Sequence, residues 1–379
     1  MSSGNDFIPI AKPLLGDEET AAVTRVLRSG WLMQGPEVQG LERELAAYVG
    51  SRHACMVSSG TAALHLALLA VGVGPGDEVV TVSHSFIATA NAIRLCGALP
   101  VFVDIDPATY NIDPWLVDAA IGPRTRAVLA VHQMGMPCDV GKLATLCRDR
   151  GIALVEDAAC ALGSELEVAG AWQKIGRPQG AIACFSFHPR KIVTTGDGGA
   201  ITTNDASLDA RVRALRQHGA DPQGRFIESA PNYRMTDLQA AVGRVQLGRL
   251  PSLLQDRARQ VERYRAAFAR TDLVFPVEPA GCRSNWQSLC LRLGVDSDPE
   301  RVVAEATRQN ISLRRGISNA HEQPAYAQVG SHRVSGSLAH SEQAWRETLC
   351  LPLLPGLSEE DQARVVAVVT RAAAHTRIE

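Results

Sequence analysis

The chain has 379 residues, of which 46% are hydrophobic and 21% are charged, and its formal net charge is −2. This balance is typical of a globular protein with two domains, and it gives no reason to expect a nucleic acid or an anionic membrane surface as a partner. The nine cysteines include no C-x-x-C pair, and no stretch approaches the roughly 20 apolar residues of a membrane span. We therefore expect a cytoplasmic protein with reduced thiols and without a metal site.

The N-terminal half carries alternating helix and strand signals. An amphipathic helix is predicted with Asp17 as its N-cap and Gly30 at its end, followed by a loop over residues 31–36. Short apolar runs then alternate with helical patterns, which indicates buried parallel strands joined by right-handed crossovers. Strands are predicted at residues 54–57, 78–82, 99–103, 128–132, 153–156 and 181–185, and helices at residues 38–49, 60–67, 86–96 and 141–150.

The pattern changes from about Asp237. A long helical stretch over residues 237–270 is predicted to be interrupted by Pro251. Beyond it the sequence predicts a strand near residues 288–293 and helices at residues 299–308 and 359–374. We therefore predict an α/β protein with a large domain over residues 1–250, whose N-terminal helix packs near the small domain, and a small domain over residues 251–379.

Lys191 is the most informative residue, because the chain has 34 arginines and only four lysines. A lysine that attacks a carbonyl to form a Schiff base cannot be replaced by arginine, whose guanidinium stays protonated. Lys191 follows the apolar run at residues 181–185, and strand ends are where α/β proteins present reactive groups. The alternative is a solvated lysine in a turn.

Three further features match what pyridoxal phosphate requires. Residues 58–61 lie between a strand and a helix, where free amides and a glycine suit a phosphate, and Ser186 could reach the same phosphate. Phe86 follows a strand end and could stack on the cofactor ring. Alone, the first feature could be a simple helix cap and the second a core aromatic.

Asp157 directly follows a buried strand, where a carboxylate is costly unless it has a partner. A protonated pyridine nitrogen would be that partner, and a capping or salt-bridged aspartate is the alternative. The order along the chain is a phosphate site, an aromatic residue, an acid and then a lysine. This order predicts a pyridoxal phosphate site, because each part alone is weak but chance rarely produces the series.

With these residues in place, the chain resembles the DegT/DnrJ/StrS family of nucleotide-sugar aminotransferases, within the fold-type I pyridoxal phosphate enzymes. The resemblance covers nearly the whole chain. It is carried by residues 59–65, 76–79, 102–106, 156–159, 185–191 and 232–234. It implies a large domain with a mostly parallel central sheet, a smaller α/β C-terminal domain, and transfer of an amino group from an amino acid, L-glutamate above all, to a keto-sugar.

The resemblance also implies residue roles. Lys191 would form the Schiff base and shift the proton, and Asp157 would pair with the pyridine nitrogen. Phe86 would stack on the ring. The residues that would hold the phosphate are Gly60, Thr61 and Ser186.

Other implied roles lie outside this group. Asn232 would reach the phosphate of a neighbouring subunit, so the family pattern requires a homodimer. Arg234 could bind a substrate carboxylate or phosphate, with a surface ion pair as the alternative. His188, Arg315 and His321 are candidates for the substrate side.

The chain departs from the family pattern at two positions. Cys160 stands where many members have Gln or His near the phenolic oxygen of the cofactor, and Ile192 stands where many have Asn. A thiol is a poorer hydrogen-bond donor, so Cys160 is a cofactor contact or only a small packing residue. Relatives that replace the lysine with His are sugar dehydratases, and Lys191 argues against that chemistry.

Three functions are left open. The first is an aminotransferase for nucleotide-linked keto-sugars. The second is an aminotransferase for a keto-cyclitol or another ketone without a nucleotide, which would use the same cofactor residues. The third is a non-catalytic regulatory protein, against which the intact Lys191 and Asp157 argue.

Overall fold

The computed structural model of the protein describes residues 7–294 and 297–374. Its helices are α1 (Asp17–Ser29), α2 (Pro36–Val49), α3 (Gly60–Ala70), α4 (Ala88–Leu95), α5 (Pro114–Ala120), α6 (Val140–Arg150), α7 (Ala206–Arg216), α8 (Asp237–Phe268), α9 (Pro299–Arg308), α10 (Ala339–Glu347) and α11 (Glu359–Ala374). Its strands are β1 (His53–Val57), β2 (Glu78–Val82), β3 (Leu99–Val103), β4 (Thr125–Val131), β5 (Ala153–Asp157), β6 (Glu165–Val168), β7 (Ala171–Lys174), β8 (Ile182–Ser186), β9 (Gly199–Thr203), β10 (Cys282–Arg283), β11 (Leu289–Arg292), β12 (Arg314–Arg315), β13 (Arg333–Val334) and β14 (Thr348–Leu351).

The centre of the molecule is an eight-stranded sheet with the order β1-β9-β8-β5-β4-β2-β3-β13. Strands β13, β3, β2, β4, β5 and β8 pair in parallel, and β9 runs antiparallel to both β8 and β1. The predicted α/β fold with a mostly parallel sheet is thus confirmed. Because β1 runs in the same direction as β8, the C-terminal ends of β1, β2, β5 and β8 lie along one edge of the sheet.

The apolar strand runs are explained by helices on both faces of this sheet. One face buries Val79, Leu129 and Val155 with helices α3 and α4. The other buries Val80 and Val128 with helices α5 and α6. A parallel strand covered on both faces has no solvent side, so its side chains do not alternate between apolar and polar.

The C-terminal part forms a second core. A three-stranded sheet of order β11-β14-β12 packs with α9, α11 and the end of α8, burying residues such as Tyr264, Phe268 and Val365. Strand β13 returns to the large sheet and pairs with β3, and Ile8 pairs with Ile311. The division at residues 250 and 251 stays a prediction.

Two local predictions are wrong. Helix α8 runs through Pro251 without interruption, because Leu247, Leu250 and Leu253 are buried on either side of the proline. This packing offsets the roughly 3 kcal/mol that a proline costs inside a helix. The N-cap of α1 is Gly16 and not Asp17, and Glu19 accepts the hydrogen bond from the Gly16 amide. The predicted end is confirmed, since Gly30 has a left-handed φ of 72°.

Among the described residues no helix is both long and apolar enough to cross a membrane. The same part of the chain contains no cluster of three or more His, Cys, Asp or Glu side chains that could hold a metal ion.

Candidate active site

Lys191 lies in the turn after β8, and its side chain is half-buried. Its Nζ atom donates a hydrogen bond to the Sγ atom of Cys160 at 3.0 Å. Two other lysines have different surroundings: Lys142 pairs with Asp139 at 2.6 Å, and Lys174 lies 5.0 Å above the ring of Tyr48. Lys191 forms no salt bridge within the described part of the chain, so its amine faces a sulfur atom instead of a carboxylate.

Asp157 is the last residue of β5 and is only 4% exposed. Thr89 donates its hydroxyl to Oδ2 at 2.8 Å, and the amide of Ala159 donates to Oδ1 at 3.1 Å. Burial raises the pKa of Asp157, although these hydrogen bonds and the charge of Lys191 act in the opposite direction. Since the described residues offer it no salt bridge, the carboxyl group is suited to a cationic partner from outside the chain.

The acid next to Asp157 has a separate, structural set of partners. Glu156 accepts hydrogen bonds from the amides of Gln179 at 2.8 Å and Gly180 at 3.0 Å. The Nε2 atom of His132 lies 3.3 Å from Glu156, and its Nδ1 atom accepts the amide of Cys138 at 3.1 Å. Because Nδ1 is an acceptor, the ring proton is on Nε2 and points at Glu156. The hydrogen-bonding capacity of Glu156 is thus used within the chain. Asp157 is the acid that remains available to a cofactor.

The start of helix α3 packs closely against the end of β8, and its N-terminal amides form a candidate anion site. Ser59 is the N-cap of α3, and its side chain accepts the amide of Ala62 at 3.1 Å. A Cβ atom on Gly60 would lie 2.7 Å from the Cβ of Ser186. A Cβ atom on Gly199 would lie 2.3 Å from the carbonyl oxygen of Ser59. The two glycines let the backbones approach closely, and the first amides of the helix remain free for a phosphate, as a helix start provides.

Phe86 is 64% exposed, which excludes the core aromatic that the sequence left open. It lies between β2 and α4, three residues before Thr89, which binds Asp157. An exposed aromatic ring at this edge of the sheet fits a stacking partner for a planar cofactor.

The loop of Asn232 lies beside the candidate anion site at the start of helix α3. The carbonyl of Tyr233 accepts the amide of Ser58 at 2.8 Å, and Arg234 forms an isolated bridge with Val57. Arg234 donates Nε to Oδ1 of Asn232 at 2.9 Å. Asn232 is itself exposed.

Two histidines predicted for the substrate side lie at the same edge of the sheet. His188 accepts the amide of Arg190 at 3.2 Å, and burial together with the positive charge of Arg190 lowers its pKa. The Nδ1 atom of His321 lies 2.6 Å from the hydroxyl of Ser83, which directly follows β2. Glu342 lies 3.6 Å from the other ring nitrogen of His321.

Arg315 is placed differently, on β12 of the small sheet. Its Nη1 pairs with Glu300 at 2.7 Å, and its Nη2 donates to the carbonyl of Trp345 at 2.8 Å. The guanidinium also stacks 3.8 Å from the ring of Trp345. These partners engage both terminal nitrogens, and a role of Arg315 in substrate binding stays a prediction.

Sequence reasoning missed three residues that support the site. Thr89 binds Asp157, Asn285 binds the carbonyl of Cys160 at 2.9 Å, and Gln287 binds the amide of Ile192 at 3.0 Å. Thr89 lies on an amphipathic helix that also carries Asn91 and Arg94, so its residue type gave no signal. Asn285 and Gln287 are distant in the chain from the residues they bind, and no local pattern marks them.

The residues present fit pyridoxal phosphate on the observations above: a helix start whose glycine allows close approach, a buried carboxyl group without a salt bridge among the described residues, an exposed aromatic ring and a half-buried lysine. The family pattern of the DegT/DnrJ/EryC1/StrS aminotransferases matches residues 13–370. The chain belongs to this family, and it is an enzyme, an aminotransferase that depends on pyridoxal phosphate.

Individual relatives are similar over their whole length. The spore coat polysaccharide biosynthesis protein SpsC of Bacillus subtilis (strain 168) is 37% identical, over 96% of this chain and 97% of the relative. The aminotransferase TlmJ from Streptoalloteichus hindustanus is 36% identical with a TM-score of 0.90, over 98% of this chain and 100% of that one. The structure of DesI in the presence of its TDP-sugar product is 31% identical with a TM-score of 0.90, over 100% of this chain and 95% of that one. This chain is a sugar aminotransferase.

Proposed function

We propose that the protein transfers an amino group from L-glutamate to the keto group of a nucleotide-linked sugar, in amino-sugar biosynthesis. The observation that carries the proposal is that Lys191, Asp157 and the start of helix α3 at Gly60 all lie at one edge of the sheet. The presence of a TDP-sugar product with DesI supports a nucleotide-linked acceptor.

Bound pyridoxal phosphate supplies an aldehyde that carries the amino group and a ring that withdraws electrons. Lys191 provides the amine that holds the cofactor, and it then moves the proton in both halves of the reaction. Asp157 keeps the ring nitrogen protonated, because a buried carboxylate favours a cation beside it.

The remaining proposed cofactor contacts come from the start of helix α3, the end of β8 and the residues beside them. The amides of Gly60 and Thr61 and the hydroxyl of Ser186 bind the phosphate. Phe86 covers one face of the ring. Cys160, which Lys191 contacts at 3.0 Å, would lie near the phenolic oxygen of the bound cofactor.

We further propose a homodimer in which Asn232 completes the phosphate site of the neighbouring subunit. The exposure of Asn232 supports this arrangement, as does the apolar loop at residues 31–33, whose side chains are 45–53% exposed. Mixing a Lys191→Ala variant with an Asn232→Ala variant tests it, because mixed dimers restore one intact site only if Asn232 acts across the interface. Activity that stays at the level of the separate variants would refute the shared site.

On the substrate side, His188, His321 and Arg234 are positioned to contact the sugar or its nucleotide. We also propose that the enzyme acts in the cytoplasm. All nine cysteines are free thiols in the structure, which suits a reducing compartment.

The test begins with the absorbance spectrum of the purified enzyme with pyridoxal phosphate. L-glutamate should bleach the long-wavelength band, and the aminated enzyme should then be restored by a TDP-linked keto-sugar. Restoration by a keto-cyclitol in place of the TDP-sugar would favour the acceptor without a nucleotide. A protein without any such band would instead be the non-catalytic regulator.

A further inference from the structure

A short segment around Trp286 binds the main chain on both sides of the candidate lysine. The Oε1 atom of Gln287 accepts the amide of Ile192 at 3.0 Å, and its Nε2 atom donates to the carbonyl of Arg190 at 2.7 Å. The residues before and after Lys191 are therefore held by a single side chain that is only 8% exposed.

The same segment also holds the loop of Cys160, the residue that Lys191 contacts. The Nδ2 atom of Asn285 donates to the carbonyl of Cys160 at 2.9 Å and to that of Leu162 at 2.8 Å. Its Oδ1 atom accepts the amide of Gln287 at 2.9 Å, which joins the two side chains into one unit. A single segment of the chain thus holds both loops whose side chains meet in the 3.0 Å contact between Lys191 and Cys160.

Arg257 of helix α8 holds this unit in place. Arg257 is 5% exposed, and its Nη1 atom donates to the carbonyls of Trp286 at 3.0 Å and Gln287 at 3.2 Å. Burial lowers the pKa of Arg257 to about 10, although the charge of Asp256 acts in the opposite direction. Trp286 has a φ of 51°, a conformation that costs free energy in a residue other than glycine and persists only where its surroundings hold it.

We propose that Gln287 and Asn285 are positioning residues of the aminotransferase reaction, which hold the main chain around Lys191 and the loop of Cys160 in place. A reacting amine needs placement within a fraction of an ångström, and supporting hydrogen bonds provide it. The inference rests on the proposed roles of Lys191 and Cys160. It extends them to a segment nearly 100 residues further along the chain.

The test uses Gln287→Met, which removes both hydrogen bonds but keeps the volume of the side chain. The matched control is Gln260→Met. Gln260 is also buried, donates to the carbonyl of Leu354 at 2.8 Å and accepts its amide at 3.3 Å, so it bridges backbone away from the site. Gln287→Glu separates the two bonds, because it keeps the acceptor for the Ile192 amide but places a second acceptor oxygen against the carbonyl of Arg190.

The first measurement is hydrogen exchange in the cofactor-free protein, on peptides that span residues 188–194. Gln287→Met should speed exchange there by about tenfold, and the control should not. The second is the pH titration of the bound cofactor band together with kcat and KM. Gln287→Met should shift the titration and lower kcat by about 10–100-fold with a small change in KM, and Gln287→Glu, which loses the bond to the Arg190 carbonyl, should not restore the wild-type kcat.

An unchanged exchange rate at residues 188–194 in Gln287→Met would overturn the inference. So would faster exchange with a kcat and titration equal to those of Gln260→Met, because the segment would then serve only the fold. A wild-type enzyme without transamination would overturn the proposed function instead, and the exchange experiment distinguishes the two since it needs neither cofactor nor substrate.

Discussion

The Nζ atom of Lys191 lies 3.0 Å from the Sγ atom of Cys160, so the lysine after β8 and the cysteine after β5 meet at neighbouring strand ends. This contact gives Cys160 a partner within the candidate active site. A thiol can accept a hydrogen bond from the amine without the charge of a carboxylate. The amine is therefore held in place but not tied to an ion pair.

Cys160 should be protected from alkylation when the cofactor is bound. Its side chain is half-buried and adjacent to a cation, and thiol reactivity rises with access and a cationic neighbour. Pyridoxal phosphate should slow the reaction of Cys160 with iodoacetamide by about tenfold or more, as measured by peptide mass mapping. Cys282 is the internal control. Burial raises its pKa to about 11, and its slow labelling should not depend on the cofactor.

Lys191→Ala should abolish both the long-wavelength cofactor band and turnover, because no other group supplies the amine. Lys191→Arg is the matched control, since it keeps the positive charge but cannot form a Schiff base. Both variants should be inactive while still binding pyridoxal phosphate weakly, as shown by equilibrium dialysis. Turnover at wild-type rates in either variant would rule out Lys191 as the nucleophile.

Asp157→Asn should have opposite effects on catalysis and on stability. Loss of the carboxylate removes the partner of the ring nitrogen, and kcat should fall by about 100-fold or more. An equal or faster rate in the variant would exclude the pairing of Asp157 with the cofactor. Thr89 and the Ala159 amide can both bond an asparagine, so the fold should tolerate the change.

The stability effect of Asp157→Asn depends on pH. Burial raises the pKa of Asp157, so the folded cofactor-free protein binds a proton more tightly than the unfolded chain does. Wild-type stability is then lost as the pH rises above the ordinary carboxyl value of about 4. Asparagine avoids this loss, and the variant without cofactor should melt roughly 1–3 °C higher at pH 7 but not at pH 4. Calorimetry at the two pH values measures it, and an unchanged difference between them would contradict the assignment.

Gly60→Ala should weaken cofactor binding without unfolding the protein. The new Cβ would lie 2.7 Å from the Cβ of Ser186, so helix α3 and the end of β8 must move apart. We expect the Kd for pyridoxal phosphate to rise by about tenfold, which corresponds to about 1.4 kcal/mol. Gly248→Ala is the control, because it is also helical and its Cβ would meet no atom within 4 Å. Equal affinities in the two variants would remove Gly60 from the phosphate site.

Local sequence signals predicted much of the fold. The bounds of β2, β3 and α9 agree with the predicted residues 78–82, 99–103 and 299–308, because each is a short apolar or amphipathic run between clear turn residues. Pro251 was misleading, since a proline's local cost was outweighed by buried leucines around it. Strands β12, β13 and β14 had no local signal strong enough to place them, as they are short and depend on pairing with distant strands.

The sequence by itself determined the family, the α/β class and the candidates Lys191, Asp157, Phe86 and Gly60, because those depend on residue type and position beside a strand. Only the tertiary structure decided that Cys160 contacts Lys191, that Phe86 is exposed, and that Asn285 and Gln287 hold the two loops. Strand ends are local features of the chain, whereas hydrogen bonds between residues about 100 positions apart exist only once the sheet and α8 have brought them together.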